Sequence, residues 1–411
     1  DYAASGGAAA IVFDILFMDQ DPTDSNADSI FADATRRART VVHSMSFSKA
    51  DPDAFLKEMK EPPPGFEAAR FSFQLPDAVT QRFNLAERFD GKVMELYNGS
   101  AALGFANFLP DEDSVIRAMP MFINFAGRVY PSLALATVMQ LTGANGSDLA
   151  VTLDKEIQVG ADTAESRALR IPIDHRGRTL INYMGTFKTF RYVSFYDVLE
   201  QRLPAETFAD KVVLVGTSAS GLVDLRPVPF QPDFPGVEIH ANIIYDILTQ
   251  NFIQRQSVIS ALILFFVACL LVGILAMILH PALSILTTLL AAGGQVGLAF
   301  WLFVQHNLWI DEVTPLVGTG VSFLAVMVYR YLDEEKQTRR IKGMFANYTS
   351  ASMVDELLKN PAMLKLGGQK MYATAFFSDI KNFTMVSERL TPEVLVAQLN
   401  EYLAAMTDVV L

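Results

Sequence analysis

Between Gln256 and Ile310 the chain carries no Lys, Arg, Asp or Glu. This interval holds two apolar runs, each long enough to cross a hydrocarbon core of about 30 Å. The first, residues 257–279, ends at His280-Pro281, where proline cannot continue a helix without losing a backbone hydrogen bond, so a tight hairpin is predicted. The second is predicted over 282–304 and a third over 313–331. Three such runs in close succession are hard to bury in a soluble core, and the pattern predicts three transmembrane helices. Up to Tyr329 the spans contain no ionisable Asp, Glu, Lys or Arg of the sort that marks an ion pathway. In the second span, small residues at 291–294 sit beside Gln295. That stretch reads either as a polar pathway or as close helix packing, and packing is the ordinary meaning.

Residues 1–252 have a different rhythm. Short apolar runs at 8–17, 40–47, 101–110 and 211–218 read as buried strands, and 129–143 and 239–250 have helical spacing. The alternation predicts an α/β domain with a largely parallel sheet. After Arg330 the chain turns charged. Ile341, Met344, Phe345 and Tyr348 fall at i, i+3, i+4 and i+7, giving one apolar helical face in a connector over 332–370. The stripe is short and is interrupted by Gly343. It suits either a dimer helix or packing on the next domain.

Composition sharpens this division. At 411 residues there is room for roughly three domains, and a hydrophobic share of 51% alongside 19% charged residues fits an apolar excess gathered in the spans. A net charge of −12 argues against nucleic acid as a partner, because phosphate binding needs a basic face. The single cysteine, Cys269, allows no intrachain disulfide. The loop after the second span carries Asp311 and Glu312, whereas Arg330, Lys336, Arg339, Arg340 and Lys342 follow the third. The positive-inside tendency then places 332–411 in the cytoplasm and 1–252 outside.

Two passages carry family resemblance. "KVVLVGTSASGLVDLRPVPFQPDFPGVEIHANIIYDIL", 211–248, and "VFDILFMDQDP", 12–22, resemble the second type of CHASE domain, an extracytoplasmic sensor module of bacterial receptors followed by three membrane helices. The resemblance implies a bacterial inner-membrane protein with an unidentified extracytoplasmic ligand, and an N-terminal anchor and first strand lying before Asp1. "GTSASG" fits neither a P-loop nor a dinucleotide fingerprint and is read as a strand-to-loop turn. Asp224 with Arg226 reads as an internal ion pair or turn brace, with contact to a charged ligand as the alternative. His43, His175 and His240 show no metal-ligand spacing.

The second passage is "ATAFFSDIKNFTMVSERL", 373–390, in which a small and aromatic run ends in the lone carboxylate of Asp379. An acid at the tip of a buried strand, followed by a helix start, suits a nucleoside triphosphate with its cation. The passage resembles the opening motif of class III nucleotidyl cyclases, and "LTPEVLVAQLNEYLAAMTDVV" their next helix, with Thr391 capping and Pro392 at its first position. The resemblance implies that 371–411 begins an α+β, ferredoxin-like catalytic domain working as a homodimer on ATP, ahead of GTP, with two Mg²⁺ or Mn²⁺ ions. It makes Asp379 a ligand of both ions and Ile380 a ligand through its carbonyl. Asn382, Phe383 and Thr384 become the turn facing the triphosphate. Many relatives have glycine where Asn382 stands, and asparagine tolerates positive φ better than most residues. The family's second metal-binding aspartate, base-selecting residues and transition-state Asn and Arg are expected beyond Leu411, so this stretch alone is expected not to catalyse. A receptor whose cyclase-like domain only senses or dimerises is the alternative.

Overall fold

A computed structural model of the chain describes residues 1–17, 19–24, 26–48, 61–64, 66, 72–90, 93–161, 167–218, 224–345, 374 and 377–410. The centre of the outer domain is a four-stranded parallel sheet. Its strands are β1 (Ala10–Asp14), β2 (Val41–Met45), β3 (Ala102–Phe105) and β4 (Val212–Gly216), in the order β4-β1-β2-β3. Near-continuous apolar strands such as Val212-Val213-Leu214-Val215 are what a parallel sheet covered on both faces demands. Side chains alternate across it: Ala10 and Val12 of β1 join Leu133 and Ala136 on one face, while Ile11 packs with Val41 and Phe208 on the other.

Helix α1 (Ala27–Ala38) connects β1 to β2. On the opposite face lie α2 (Leu133–Thr142) and α3 (Gly236–Thr249). Ser132 caps α2 by accepting from the Leu135 N–H at 3.2 Å. The sequence pattern made 129–143 one helix, but 128–131 is a strand, and the chain enters the helix only after Pro131. Ahead of α3 the strands β5 (Leu225–Val228) and β6 (Gln231–Pro235) form an antiparallel hairpin.

One face of α3 is polar and yet buried. Glu238, Asn242 and Asp246 fall at i, i+4 and i+8 and together serve the irregular segment 182–192. The Asn182 N–H donates to Asp246 Oδ2 (2.9 Å) and the Met184 N–H to Asn242 Oδ1 (2.8 Å). Glu238 accepts from the N–H groups of Lys188 (3.2 Å) and Thr189 (3.1 Å) and from the Tyr192 hydroxyl (2.9 Å). A segment outside any helix or sheet must still pair its buried amides, and here helix side chains replace a neighbouring strand.

Three helices are long and apolar enough to cross a membrane: α4 (Val258–Ile278), α5 (Pro281–His306) and α6 (Val313–Phe345). Most of their large apolar side chains, Leu270, Leu289 and Val321 among them, are exposed, which water does not tolerate and lipid does. Two spans extend beyond their predicted limits. Pro281 takes the first position of α5, where its missing N–H costs nothing, and α5 runs on to His306. The third helix passes through Gly343 to Phe345, so the beginning of the predicted connector is the same helix, about 50 Å long at 1.5 Å per residue.

Packing between these helices also departs from expectation. The paired glycines of α5 make no close contact among the described residues: a Cβ added at Gly293 or Gly294 would meet nothing within 4 Å. Close approach occurs between α4 and α6. There a Cβ on Gly318 would strike the Phe265 ring, and Ser322 Oγ donates to the Cys269 carbonyl at 2.9 Å. Gln295 turns inward and donates to Thr319 Oγ1 at 3.1 Å. Arg330 Nη1 donates to the Ala276 (2.8 Å) and Leu279 (2.6 Å) carbonyls, satisfying acceptors that the end of α4 leaves open.

Removing Glu238 strands three donors at once. Glu238→Ala is expected to cost roughly 3 kcal/mol in chemical unfolding followed by circular dichroism, with faster amide exchange at Lys188 and Thr189. Unchanged exchange there would show that the segment is held by something else.

Candidate functional site

The order β4-β1-β2-β3 contains a reversal. From β1 the chain lays down β2 and β3 on one side and returns with β4 on the other. In open parallel sheets the crevice at such a reversal, beyond the carboxyl ends of the strands, is where ligands bind. β1 ends there in Asp14, directly opposite Gly216, the last residue of β4.

Three elements bring polar side chains to this point. Following the alternation along β1, Asp14 lies on the α2–α3 face, where His240 of α3 approaches it, Nε2 standing 3.7 Å from Asp14 Oδ1. That is too long for a hydrogen bond. The β5–β6 hairpin adds Asp224 and Arg226, paired through Nε to Oδ1 at 3.0 Å. Asp224 also fixes the start of α3: its carbonyl accepts the Gly236 N–H at 2.9 Å, and its carboxylate fills the space a Cβ at residue 236 would need. Glycine is therefore required at that position. Phe108 packs on the His240 ring at 4.8 Å, with the Arg226 guanidinium 5.8 Å from its own ring.

The electrostatics are unusual for an outer surface domain. Burial, with the Asp224 charge adding to it and Arg226 opposing, pushes the Asp14 carboxyl up to about 7. Burial holds the His240 imidazole down at about 4, against the pull of Asp224. Asp14 Oδ2 is buried without a hydrogen-bond partner among the described residues, and the His240 ring, which faces the Ala106 backbone, keeps at least one buried nitrogen unpaired. Buried polar atoms are nearly always paired, so two orphans at one spot require an explanation.

On the other face, His43 of β2 is packed against Phe13 (4.8 Å, stacked), Phe17 and Phe31, and burial lowers it to about 3. It is a neutral core residue, and His43 and His240 belong to different faces. His175 lies apart from both, beside the Asp174–Arg178 turn. Asp224 and Arg226 form the internal ion pair read from the sequence. In "GTSASG", residues 217–218 follow β4 without regular structure, and 219–221 lie outside the described residues.

At the other end of the chain the expected arrangement is only partly present. Asp379 was expected at the tip of a buried strand, but 377–380 form no strand, Phe377 is 91% exposed and Asp379 is exposed. Most of the run before Asp379 lies outside the described residues, and a strand needs a paired neighbour, which residues 377–380 lack among the described residues. The turn itself is as the residues require. The Phe383 N–H donates to the Ile380 carbonyl (3.2 Å), and Asn382 takes φ 64°, a left-handed conformation that asparagine tolerates better than most residues. A short helix, α7 (Phe383–Ser387), holds Phe383 and Thr384, and α8 (Pro392–Val410) starts on Pro392 as predicted. Asp379 and the Ile380 carbonyl are oxygen donors of the right kind for Mg²⁺, but a two-ion site needs further carboxylates. Among the described residues no three acidic, His or Cys side chains gather to hold a metal, so the donor set for two ions is incomplete.

Asp14 has the placement that the sequence pattern assigned to Asp379. Its signal was legible in "AAAIVFD", an apolar strand ending in an acid. Its pairing with His240, 226 positions later, was not.

The description "CHASE2 domain" belongs to the family model that matches this chain, over residues 1–278, more than half its length. No curated protein and no solved structure matches it.

The raised Asp14 carboxyl has a signed consequence. Between about pH 4 and 7 the folded protein holds a proton that the unfolded chain has released, so stability falls as pH rises, by at most about 1.4 kcal/mol per pH unit, and levels off above. Asp14→Asn is expected to remove this part of the slope in thermal melts. An identical slope in the variant would assign it elsewhere, for instance to Asp246, which burial raises to about 8.

Proposed function

The chain belongs to the CHASE2 domain family, and on that premise we propose that it is a receptor adenylate cyclase of the bacterial inner membrane. It is a membrane protein with an α/β extracytoplasmic sensor domain and three apolar helices. The proposal adds that an unidentified ligand of the sensor controls conversion of ATP to cyclic AMP and pyrophosphate on the cytoplasmic side, in a homodimer. The observation that carries the receptor part is the family match, which runs from the sensor into the first membrane helix.

The cyclase part is supported by "FFSDIKNFT" and by the left-handed Asn382 that turns the chain from Asp379 into α7. In the reaction the ribose 3′-oxygen forms a bond to the α-phosphorus as the bond to the pyrophosphate oxygen breaks, and the hydroxyl proton is released. Asp379 would contribute a fixed anionic donor beside the polyphosphate. The dimer is supported by the connector stripe, where Ile341 and Met344 are exposed at 38% and 58% on the charged end of α6. Such a stripe is stabilised by a second copy.

A second reading keeps the same segment and drops the chemistry. In that reading the cytoplasmic segment is a cyclase-homology module that dimerises without catalysis. The two readings separate in membranes containing the full-length protein, supplied with ATP and Mg²⁺ or Mn²⁺. The enzyme reading expects cyclic AMP formation that Asp379→Ala lowers by about 100-fold or more, a loss of some 3 kcal/mol of transition-state stabilisation, with membrane insertion unchanged. Undiminished production by the variant would remove Asp379 from the mechanism, and no production by the parent would favour the module.

A further inference from the structure

We propose that the crevice at the β1–β4 reversal binds a small organic ammonium group, held by Asp14 and His240. The proposal deepens the sensor reading above and rests on it, because it names the class of ligand the outer domain takes.

Asp14 Oδ2 and one ring nitrogen of His240 are buried without partners among the described residues, the other nitrogen facing the Ala106 backbone. The Asp14 side chain is 7% exposed and His240 is fully enclosed. Each unpaired buried polar group costs about 1–3 kcal/mol. The Asp14–His240 gap of 3.7 Å is too wide for a direct bond to relieve that cost. Something that donates to both satisfies it, and the orphans lie where the sheet topology opens a ligand crevice.

Charge then selects the chemistry. The groups facing Asp14 are Asp224 and Arg226 from the β5–β6 hairpin and His240 from α3. His43, on the neighbouring strand, packs with Phe13 on the opposite face. With Asp14 ionised and His240 neutral, the cluster holds two carboxylates against one guanidinium, a net charge of about −1. An anion would meet both carboxylates and is excluded. A neutral polyol would leave the buried charge in place. A divalent cation would find no third ligand among the described residues. A primary ammonium supplies one positive charge and three N–H donors, enough for Asp14 Oδ2 and the acceptor nitrogen of His240. Phe108, lying against the imidazole, gives the carbon next to the nitrogen an apolar wall. The Asp224–Arg226 pair, with side chains 29% and 48% exposed, marks the solvent side.

Binding is best read directly, by isothermal titration of the full chain in lipid nanodiscs with methylammonium chloride, in amine-free buffer at about pH 8. Tetramethylammonium chloride, of equal charge but without N–H donors, is the comparison. Saturable heat is expected for methylammonium alone. Asp14→Asn should weaken it at least 10-fold. Lowering the pH to about 6, where only about a tenth of Asp14 stays ionised, should weaken it by a similar factor. Arg226→Gln, compared with the parent at about pH 9 so that Asp14 stays ionised without the guanidinium, should act oppositely and tighten binding, because it removes the opposing charge, and a folding defect would not produce that sign. No saturable heat, equal binding of tetramethylammonium, an unaffected Asp14→Asn variant or weaker binding by Arg226→Gln would each overturn the proposal. Because cyclic nucleotide is not the readout, such a failure leaves the receptor assignment standing, and failure of the cyclase reading leaves this one untouched.

Discussion

Helix α3 imposes the constraint on which the outer domain depends: one helix must bury an apolar face against the sheet and, at the same time, a polar stripe against an irregular segment. Ile239, Ile243 and Ile247 enter the main core, while Glu238, Asn242 and Asp246 pair the backbone of 182–192. Neither half is dispensable. Losing the apolar face opens the core, and losing the stripe strands amides that have no strand beside them. Because both sides of α3 are fixed, its remaining side chains are fixed as well, and His240 is one of them. The position of the imidazole near Asp14 is therefore set by contacts made one helical turn away on either side.

The same rigidity extends to the chain that leaves α3. Gln250 closes the helix in the left-handed conformation at φ 56°. Four residues on, strand β7 (Gln254–Arg255) pairs in parallel with β8 (Leu308–Trp309), the loop between α5 and α6. Asn307 Nδ2 donates to Asn251 Oδ1 at 2.7 Å, and the Arg255 guanidinium lies 5.2 Å from the Trp309 ring. The exit from the sensor is thus tied to a loop far along the sequence as well as to α4, which follows it directly. Parallel pairing of two-residue strands is weak by itself, so the Asn–Asn bond and the cation–π contact hold it in register.

What could be read from the sequence follows a physical division. Elements defined by local pattern were legible. The four sheet strands are apolar runs, the three spans are uncharged stretches, and the turn at Asn382 needs a residue that accepts positive φ. Contacts made over long separations were not. The α3 stripe reads as three ordinary polar residues until the segment 182–192 is seen to lie against it, and Arg330 reads as a flanking charge until the α4 carbonyls are found within its reach. The glycines of α5 misled for the same reason. Small residues permit close packing but do not say which helix comes close, and within this chain the close approach belongs to Gly318 of α6.

The domain holds two buried aspartates, and comparing them separates structure from ligand chemistry. Asp246 carries a raised carboxyl, yet one of its oxygens accepts the Asn182 N–H and its position is in the middle of a helix surrounded by core. Its burial is explained by the segment it holds. Asp14 carries a similar raised carboxyl with no side-chain hydrogen bond among the described residues, beside a histidine with a buried unpaired nitrogen. It ends a strand at the one place in the sheet where the chain direction opens a crevice. Burial cost alone would favour an apolar residue at both positions. At Asp246 the cost is partly offset inside the fold, Oδ2 accepting from Asn182 while Oδ1 stays unpaired among the described residues. At Asp14 nothing among the described residues offsets it, and the compensating donor has to come from outside the chain.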